Sequence, residues 1–374
     1  MVEAPAESSG IKVGFIYLHD ENSTYDLNFM KAAQAACEKA GVEYINKIGI
    51  PEGNECFEAA SELVDEGCNI VFADSFGHED FMIQCAIDNP DVEFCHATGT
   101  KAHTVGLPNY HNAFAAIYEG RFLAGIAAGM KLNEMIEDGT ITEDQAVIGY
   151  VGAFPYAEVI SGYTSFFLGA RYMCPSATMQ VQFTGSWYDE AVEKEVANHL
   201  INLGCVLISQ HADSMGAPSA CELAGVPNVS YNGSTEDACP NTFIISSRID
   251  WMPYFLYIID CVKNGTPIDT DWTGTMASGS VTLTPINTKA AAMDTANMIA
   301  VIEDQLASGE MHVFDTSTFT VNGEELTTYM ADVDSDEAYT GDTEVISDGY
   351  FHESEFRSAP YFDINIDGIT ILGT

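Results

Sequence analysis

The chain has 374 residues, 47% of them hydrophobic and 18% charged, which is enough apolar material for two domains with separate cores. Asp and Glu total 56 against 13 Lys and Arg, a net charge of −43, and such a field repels phosphate backbones and anionic lipid, so nucleic acid is disfavoured as a partner. No apolar run approaches the roughly 20 residues that cross a bilayer.

Residues 1–10 are small and polar, the composition of a linker. Short apolar runs at 11–18, 43–49, 69–74 and 91–96 predict strands, with helices between them at 26–40, 55–66 and 78–88. Gly41 and Gly67 are placed as helix C-caps. A long helix over 119–135 carries Gly120, Ala124, Gly125, Ala127, Ala128 and Gly129, small residues expected to pack closely on a sheet. The pattern then recurs, with strands at 147–152, 178–184, 205–209, 227–231 and 242–247 and helices at 157–172, 189–203 and 214–224. A helix at 250–264, a strand at 279–284 and a helix at 286–308 follow. Residues 309–374 are acidic and irregular, and the alternation Phe362-Asp363-Ile364-Asn365-Ile366-Asp367 predicts one edge strand returning to a sheet.

The two halves are related. Leu63-Val64-Asp65-Glu66-Gly67-Cys68-Asn69-Ile70-Val71 returns as Leu200-Ile201-Asn202-Leu203-Gly204-Cys205-Val206-Leu207-Ile208, and Cys68 and Cys205 lie 137 positions apart. Ile11-Lys12-Val13-Gly14-Phe15-Ile16 and Val147-Ile148-Gly149-Tyr150-Val151-Gly152 keep nearly the same offset. The expected architecture is α/β with two lobes, each a parallel sheet flanked by helices, hinged by crossover strands. The expected division is a linker at 1–10, an N-terminal lobe of 11–117 plus about 250–285, a C-terminal lobe of 118–249 plus about 286–310, and an acidic extension at 311–374. In open α/β sheets ligands gather at the carboxyl ends of the strands, so two sets of loops would share one cleft.

Those loops are His19-Asp20-Glu21-Asn22-Ser23-Thr24-Tyr25, Asp74-Ser75-Phe76-Gly77-His78 and His96-Ala97-Thr98-Gly99 in the first unit. The second unit offers Phe154-Pro155-Tyr156-Ala157-Glu158, Gly185-Ser186-Trp187-Tyr188-Asp189, Gln210-His211-Ala212-Asp213-Ser214 and Tyr231-Asn232-Gly233. They are rich in aromatic rings and nearly free of Lys and Arg, which suits a flat, uncharged heteroaromatic ligand, stacked and then hydrogen-bonded at its edge. A phosphorylated ligand needs a Gly-rich turn or cations, and an amino acid needs a carboxylate clamp for which only Arg248 is near. Trp187 sits in a polar turn, which favours ligand contact over a core role. Phe76 follows an apolar strand and reads equally as contact or packing. Tyr25 opens a helix and reads equally as contact or as a staple residue. His211 and, more weakly, His96 are candidate edge partners or satisfied structural histidines. Asp213 is a ligand candidate or the cap of the helix that follows.

Chemistry is not indicated. There is no Gly-x-Ser-x-Gly, no Walker sequence and no Gly-x-Gly-x-x-Gly, and His211 with Asp213 is not a triad without a third group. The ten cysteines show no Cys-x-x-Cys and no metal spacing, so no cofactor or metal is expected. Buried thiols are the plain reading, with Cys221 and Cys239 the candidate disulfide in an oxidising compartment.

Three pieces carry a family resemblance: Tyr118-Glu119-Gly120-Arg121-Phe122-Leu123-Ala124-Gly125, the stretch from Ser161-Gly162-Tyr163 to Gly169-Ala170, and Gly185-Ser186-Trp187-Tyr188-Asp189. With the stretches at 11–25 and 72–76, they resemble the basic membrane protein family of PnrA-like solute-binding lipoproteins of ABC importers, over about residues 11–310. Ser75-Phe76-Gly77, His96-Ala97-Thr98-Gly99 and Gln210-His211-Ala212-Asp213 are similar to its purine-base-binding branch. The resemblance implies a type I periplasmic-binding-protein fold, an extracytoplasmic lipoprotein on the outer face of the cytoplasmic membrane or in the periplasm, a lipid anchor before the 1–10 linker, ABC permease partners and a monomer. It implies a purine nucleobase or nucleoside held between two aromatics, with Tyr25 and Trp187 as the counterparts and with Phe76, His96, Phe154, His211, Asp213 and Asn232 as further contacts. Acidic residues of the nucleoside-binding pattern are replaced near Leu18, His19 and Asn232, which favours a free, adenine-like base. Alternative readings are a sensor or binding domain for another flat ligand such as a flavin, and a nucleoside-processing enzyme.

Overall fold

The computed structural model describes residues 10–334 and 341–373. The first unit runs β1 (Lys12–Tyr17), α1 (Thr24–Ala40), β2 (Glu43–Ile48), α2 (Asn54–Asp65), β3 (Ile70–Ala73), α3 (Glu79–Asp88), β4 (Glu93–Ala97), α4 (Ala102–Val105) and β5 (Tyr110–Ala115). The second runs α5 (Ile117–Glu137), β6 (Val147–Gly152), α6 (Ala157–Met173), β7 (Thr178–Phe183), α7 (Glu190–Asn202), β8 (Leu207–His211), α8 (Gly216–Ala224), β9 (Asn228–Tyr231) and β10 (Phe243–Ile249). The chain returns to the first lobe with α9 (Met252–Asn264) and β11 (Asp271–Gly274), then to the second with β12 (Val281–Leu283) and α10 (Thr295–Ser308). The remainder holds the two-residue strands β13 (Met330–Ala331), β14 (Thr343–Glu344), β15 (Ile346–Ser347) and β16 (Tyr350–Phe351), and finally β17 (Ile369–Ile371).

The duplication extends to the order of the strands, although β12 runs antiparallel to β10 where β11 runs parallel to β5. One sheet has the order β11-β5-β4-β3-β1-β2 and the other β12-β10-β9-β8-β6-β7-β17. Stripped of β17, the second order is the first with each strand exchanged for its counterpart. The Gly-Cys turns are superimposable in their bonding. Gly67 and Gly204 have φ of 85° and 99°. The Cys68 N–H donates to Leu63 O at 3.0 Å and the Cys205 N–H to Leu200 O at 3.1 Å. Each turn needs the left-handed region, which glycine enters without steric cost, to end a helix and feed a buried strand.

Strands β3 and β8 are buried throughout, as central strands of sheets covered on both faces should be. Residues 281–283 pair with Ser247 to Ile249 of the second sheet, so the chain recrosses before the expected boundary near 285. The strand at 110–115 and its partner at 271–274 were not among the expected strands. The helix expected from 286 begins only at Thr295. Asn287 donates to the carbonyls of Pro240 and Phe243, and Asp294 adopts a φ of 69°, so the intervening backbone is pinned in an irregular course.

The small residues of α5 pack closely on two neighbours: Gly120 lies on the second sheet against Val281 and Ser247, while Gly125 and Gly129 lie on α6. A Cβ at Gly125 would collide with the Phe166 carbonyl, and one at Gly169 with the Phe122 carbonyl. Gly125→Val is expected to cost about 3 kcal/mol or more, because backbone cannot step aside as a side chain can. The midpoint of urea unfolding measures it.

The segment after α10 is rooted in the second lobe. Phe351, Tyr361, Phe362, Ile364 and Ile366 are buried in the core of that lobe. The alternation at 362–367 is therefore a real inside–outside pattern. It makes no strand there because the Tyr361 and Phe362 N–H groups donate to the Glu353 carboxylate, both at 2.8 Å. The returning edge strand is β17, parallel to β7. The same segment also touches the first lobe, where the Ser358 N–H donates to Asp271 at 2.8 Å and the Thr273 hydroxyl to Ser354 O at 3.3 Å. All ten cysteines are buried free thiols, Cys221 and Cys239 included.

Candidate ligand-binding cleft

The carboxyl ends of both sheets face one another. At the end of β1 the Leu18 N–H donates to Asp74 at 3.1 Å and the His19 N–H to Asp26 at 2.8 Å. Ser23 caps α1, accepting from the Asp26 N–H at 3.2 Å. That cap points Tyr25 inward, where its hydroxyl donates to Asp74 O at 2.7 Å and its ring meets Phe29 edge-on at 4.8 Å. Contacts across the cleft hold the lobes together. The Thr24 N–H donates to Asp213 O at 2.9 Å, and the His19 and Tyr188 rings lie 5.3 Å apart.

Between the lobes lies a narrow slot. Tyr25 and Phe76 from the first lobe and Trp187, His211 and Asp213 from the second line it. Trp187 is held by Phe154 at 5.1 Å, edge to face, and by Tyr156 at 6.0 Å, while its carbonyl accepts the Asp213 N–H at 3.0 Å. Phe76 and Tyr156, 5.3 Å apart, stand at the mouth with 39% and 41% of their surfaces exposed.

Three of the expected contacts lie elsewhere. Phe154 buttresses Trp187 without lining the slot. His96 is fully buried and its Nε2–H donates to Ser75 O at 2.6 Å, so it fixes the loop that carries Phe76. Asn232 lines a separate groove with Thr24, Asn28 and Arg248. Ser75, the neighbour of Phe76 in the predicted loop, also lines the slot, as do Asp26, Glu158 and Thr98, which sequence reasoning did not single out. Asp26 stands three residues after Ser23 and reads as a capping residue. Glu158 stands in the first turn of a helix, where a carboxylate needs no further explanation.

The electrostatics are one-sided. Among the described residues that line the slot there is no Lys or Arg. Burial pushes the Asp213 carboxyl well above the usual range, helped by Asp26, Glu193 and Glu158. Burial also raises Asp74, with Asp26 beside it. Burial opposes ionisation of Asp26 too, but hydrogen bonds from His19 and Ser23 outweigh it and hold that carboxyl low. Burial pulls His211 down, so its neutral ring donates to Glu158 at 3.3 Å. Beneath it Arg121 is fully buried, with its guanidinium 4.1 Å from the centre of the Tyr231 ring and donating to Gln210 O at 3.1 Å. Burial lowers this group only to about 10, so it remains the cation under the second lobe's loops.

Glu193 ties the Asp189 and Ser214 turns together, accepting both backbone N–H groups. Burial raises it from 4.5 to about 7, and the buried Glu353 likewise. A raised carboxyl stabilises the fold fully below its unfolded value and loses that contribution as pH rises through the folded one. The melting temperature is therefore expected to fall between about pH 4.5 and pH 7, the span from the unfolded to the folded value of the two groups. Glu353→Gln is expected to flatten the slope measured by calorimetry at constant salt.

Comparisons with known proteins agree with this fold. A family model, ABC transporter substrate-binding protein PnrA-like, matches residues 16–318. The chain belongs to this PnrA-like family. It is 29% identical over 310 residues to a purine-binding protein of Brucella abortus, covering 81% of this chain and 83% of that one. It is also 29% identical over 323 residues to a Haloferax volcanii protein named as a glucose-binding protein of an ABC transporter, covering 84% of this chain and 77% of that one. Among solved structures, a solute-binding protein of an ABC transporter from Aeropyrum pernix K1 aligns with a TM-score of 0.69 at 15% identity, over 81% of this chain and 93% of that one. The PnrA-like chain thus has the two-lobed periplasmic-binding-protein fold of ABC importers, a family of extracytoplasmic solute-binding proteins. Among the described residues no helix is long and apolar enough to cross a membrane.

Proposed function

We propose that this PnrA-like protein binds a purine between its lobes, as a nucleobase or nucleoside with an adenine-like base favoured, and delivers it to the permease of an ABC importer. A lipid anchor preceding the linker would hold it, as a monomer, at the outer face of the cytoplasmic membrane. The observation that carries the reading is the slot itself, with aromatic rings from both lobes, hydrogen-bonding groups at their edge and no cation on the walls. Tyr25, Phe76 and Trp187 supply the faces, and stacking adds about 0.5–1.5 kcal/mol per pair beyond the buried area. Asp213 accepts ring or exocyclic N–H groups, and the His211–Glu158 pair completes the edge. His96 and Phe154 act from behind, fixing Phe76 and Trp187, while Asn232 shapes the turn on the hinge side. The purine-binding relative supports the base, and the role is binding without catalysis.

A hexose is the second reading, favoured by the relative named for glucose and by two carboxylates, Asp213 and Glu158, that would also accept sugar hydroxyls. Calorimetric titration with adenine, guanine, hypoxanthine, their nucleosides and glucose separates the two. Saturable heat from adenine is the expected result. Silence from every purine at high micromolar concentration removes the purine reading, and heat from glucose alone transfers the site to sugars. Prolonged incubation with adenosine is expected to release no free base.

A further inference from the structure

The two lobes treat one equivalent position differently. Thr98 follows β4 and Asn232 follows β9, each is succeeded by glycine, and both stand at positive φ, 65° and 68°. Their backbones are bonded alike, with the Thr98 N–H donating to Ala113 O at 3.3 Å and the Asn232 N–H to Ser247 O at 2.9 Å. Asparagine tolerates the left-handed region, whereas a β-branched residue there is strained. Strain of this kind persists only where the surroundings leave the backbone no alternative, and it collects at ligand sites. The surroundings of Thr98 meet that condition. A Cβ at Gly99 would collide with Asn112, His96 and Glu79, and the next two N–H groups are tied to Glu79 at 2.8 and 2.9 Å.

Thr98 is also placed to matter. It is 4% exposed, and with Phe76 and Glu158 it lines both the slot and a second, wider chamber. That chamber is walled by Thr100 of the first lobe, Pro155 of the second and Pro360 of the C-terminal segment. The Thr98 hydroxyl is turned to its own chain, donating to Ala97 O at 2.5 Å, which leaves the methyl group for the cavity wall.

We propose that Thr98 determines the specificity of the site: it closes the slot where the slot opens into the chamber, and so restricts the ligand to a free base rather than a base bearing a sugar. This inference rests on the purine reading above. The strained side chain is retained because glycine, which fits the backbone better, would join slot and chamber into one cavity with room for a substituent.

The test is calorimetric titration of adenine and adenosine into the wild-type protein, Thr98→Gly and Thr98→Asn, with a melting curve for each. Wild type is expected to prefer adenine. Thr98→Gly is expected to narrow the adenine-to-adenosine ratio about tenfold, the effect of removing a small apolar wall, without a lower melting temperature. Thr98→Asn keeps a side chain suited to this backbone and is expected to retain the preference for adenine. An unchanged ratio in Thr98→Gly, with adenine still bound, overturns the specificity role alone. A lower melting temperature in Thr98→Gly overturns the strain on which the argument stands. Failure of wild type to bind either compound overturns the purine reading, and this inference with it.

Discussion

Replacing Trp187 with alanine is expected to weaken adenine binding by about 2 kcal/mol, roughly thirtyfold, while leaving the fold intact. The ring is only partly buried, packing on Phe154 and Tyr156 and against the margin of the second lobe's core, so its removal leaves the sheets in place. Its backbone carbonyl, which holds the Asp213 N–H, survives the substitution. The loss would therefore fall on stacking and not on the edge hydrogen bonds. Trp187→Phe is expected to recover part of the affinity, since a smaller ring still presents a face. Titration calorimetry with an unfolding curve for each variant reads both quantities. Equal adenine affinity in wild type and Trp187→Ala would place the ligand elsewhere.

The second large effect is on stability in salt. A net charge of −43, with 56 acidic residues against 13 Lys and Arg, makes the compact state repel itself. Raising ionic strength from about 0.01 to 1 M shortens the screening length from about 30 to 3 Å. The melting temperature is expected to rise by at least about 10 °C across that range, several kcal/mol of relieved repulsion. Sucrose at matched osmolality separates screening from solute exclusion, because it strengthens burial without supplying ions. A melting temperature that ignores salt, or that follows sucrose equally, would show that acidity here is only solvation.

The fold was legible where a signal is local. Helix ends at Gly41 and Gly67, the buried runs of β1, β3, β6 and β8, and the Gly-Cys turns all announce themselves within a few residues. β5 and β11 did not. Tyr110-His111-Asn112-Ala113-Phe114-Ala115 is half polar, yet every residue is buried, because His111 meets Glu93 at 2.9 Å and the Asn112 amide reaches Glu79 at 3.2 Å. Those partners come from other segments, and a burial satisfied at long range leaves no pattern in the strand itself. The cleft divides in the same way. Tyr25, Phe76, Trp187, His211 and Asp213 stand directly after predicted strands and converge on the slot. Glu158 closes one of the predicted cleft loops, but like Asp26 it carries a local duty that accounts for its presence, so neither stands out as a ligand contact.

The pairing of β17 with β7 sets an order of events in time. Ile369 lies opposite Met179, so the outermost ladder of the second sheet joins segments 190 positions apart. A ribosome adding about 5–20 residues per second needs roughly 10–40 s to span that interval. Throughout it the flank of β7 offers unpaired N–H and C=O groups to any passing strand. The second lobe is therefore born with an open edge and closes it last, while the first lobe waits only for β11. A chaperone or rapid export that shields this edge would act on the nascent chain during that wait.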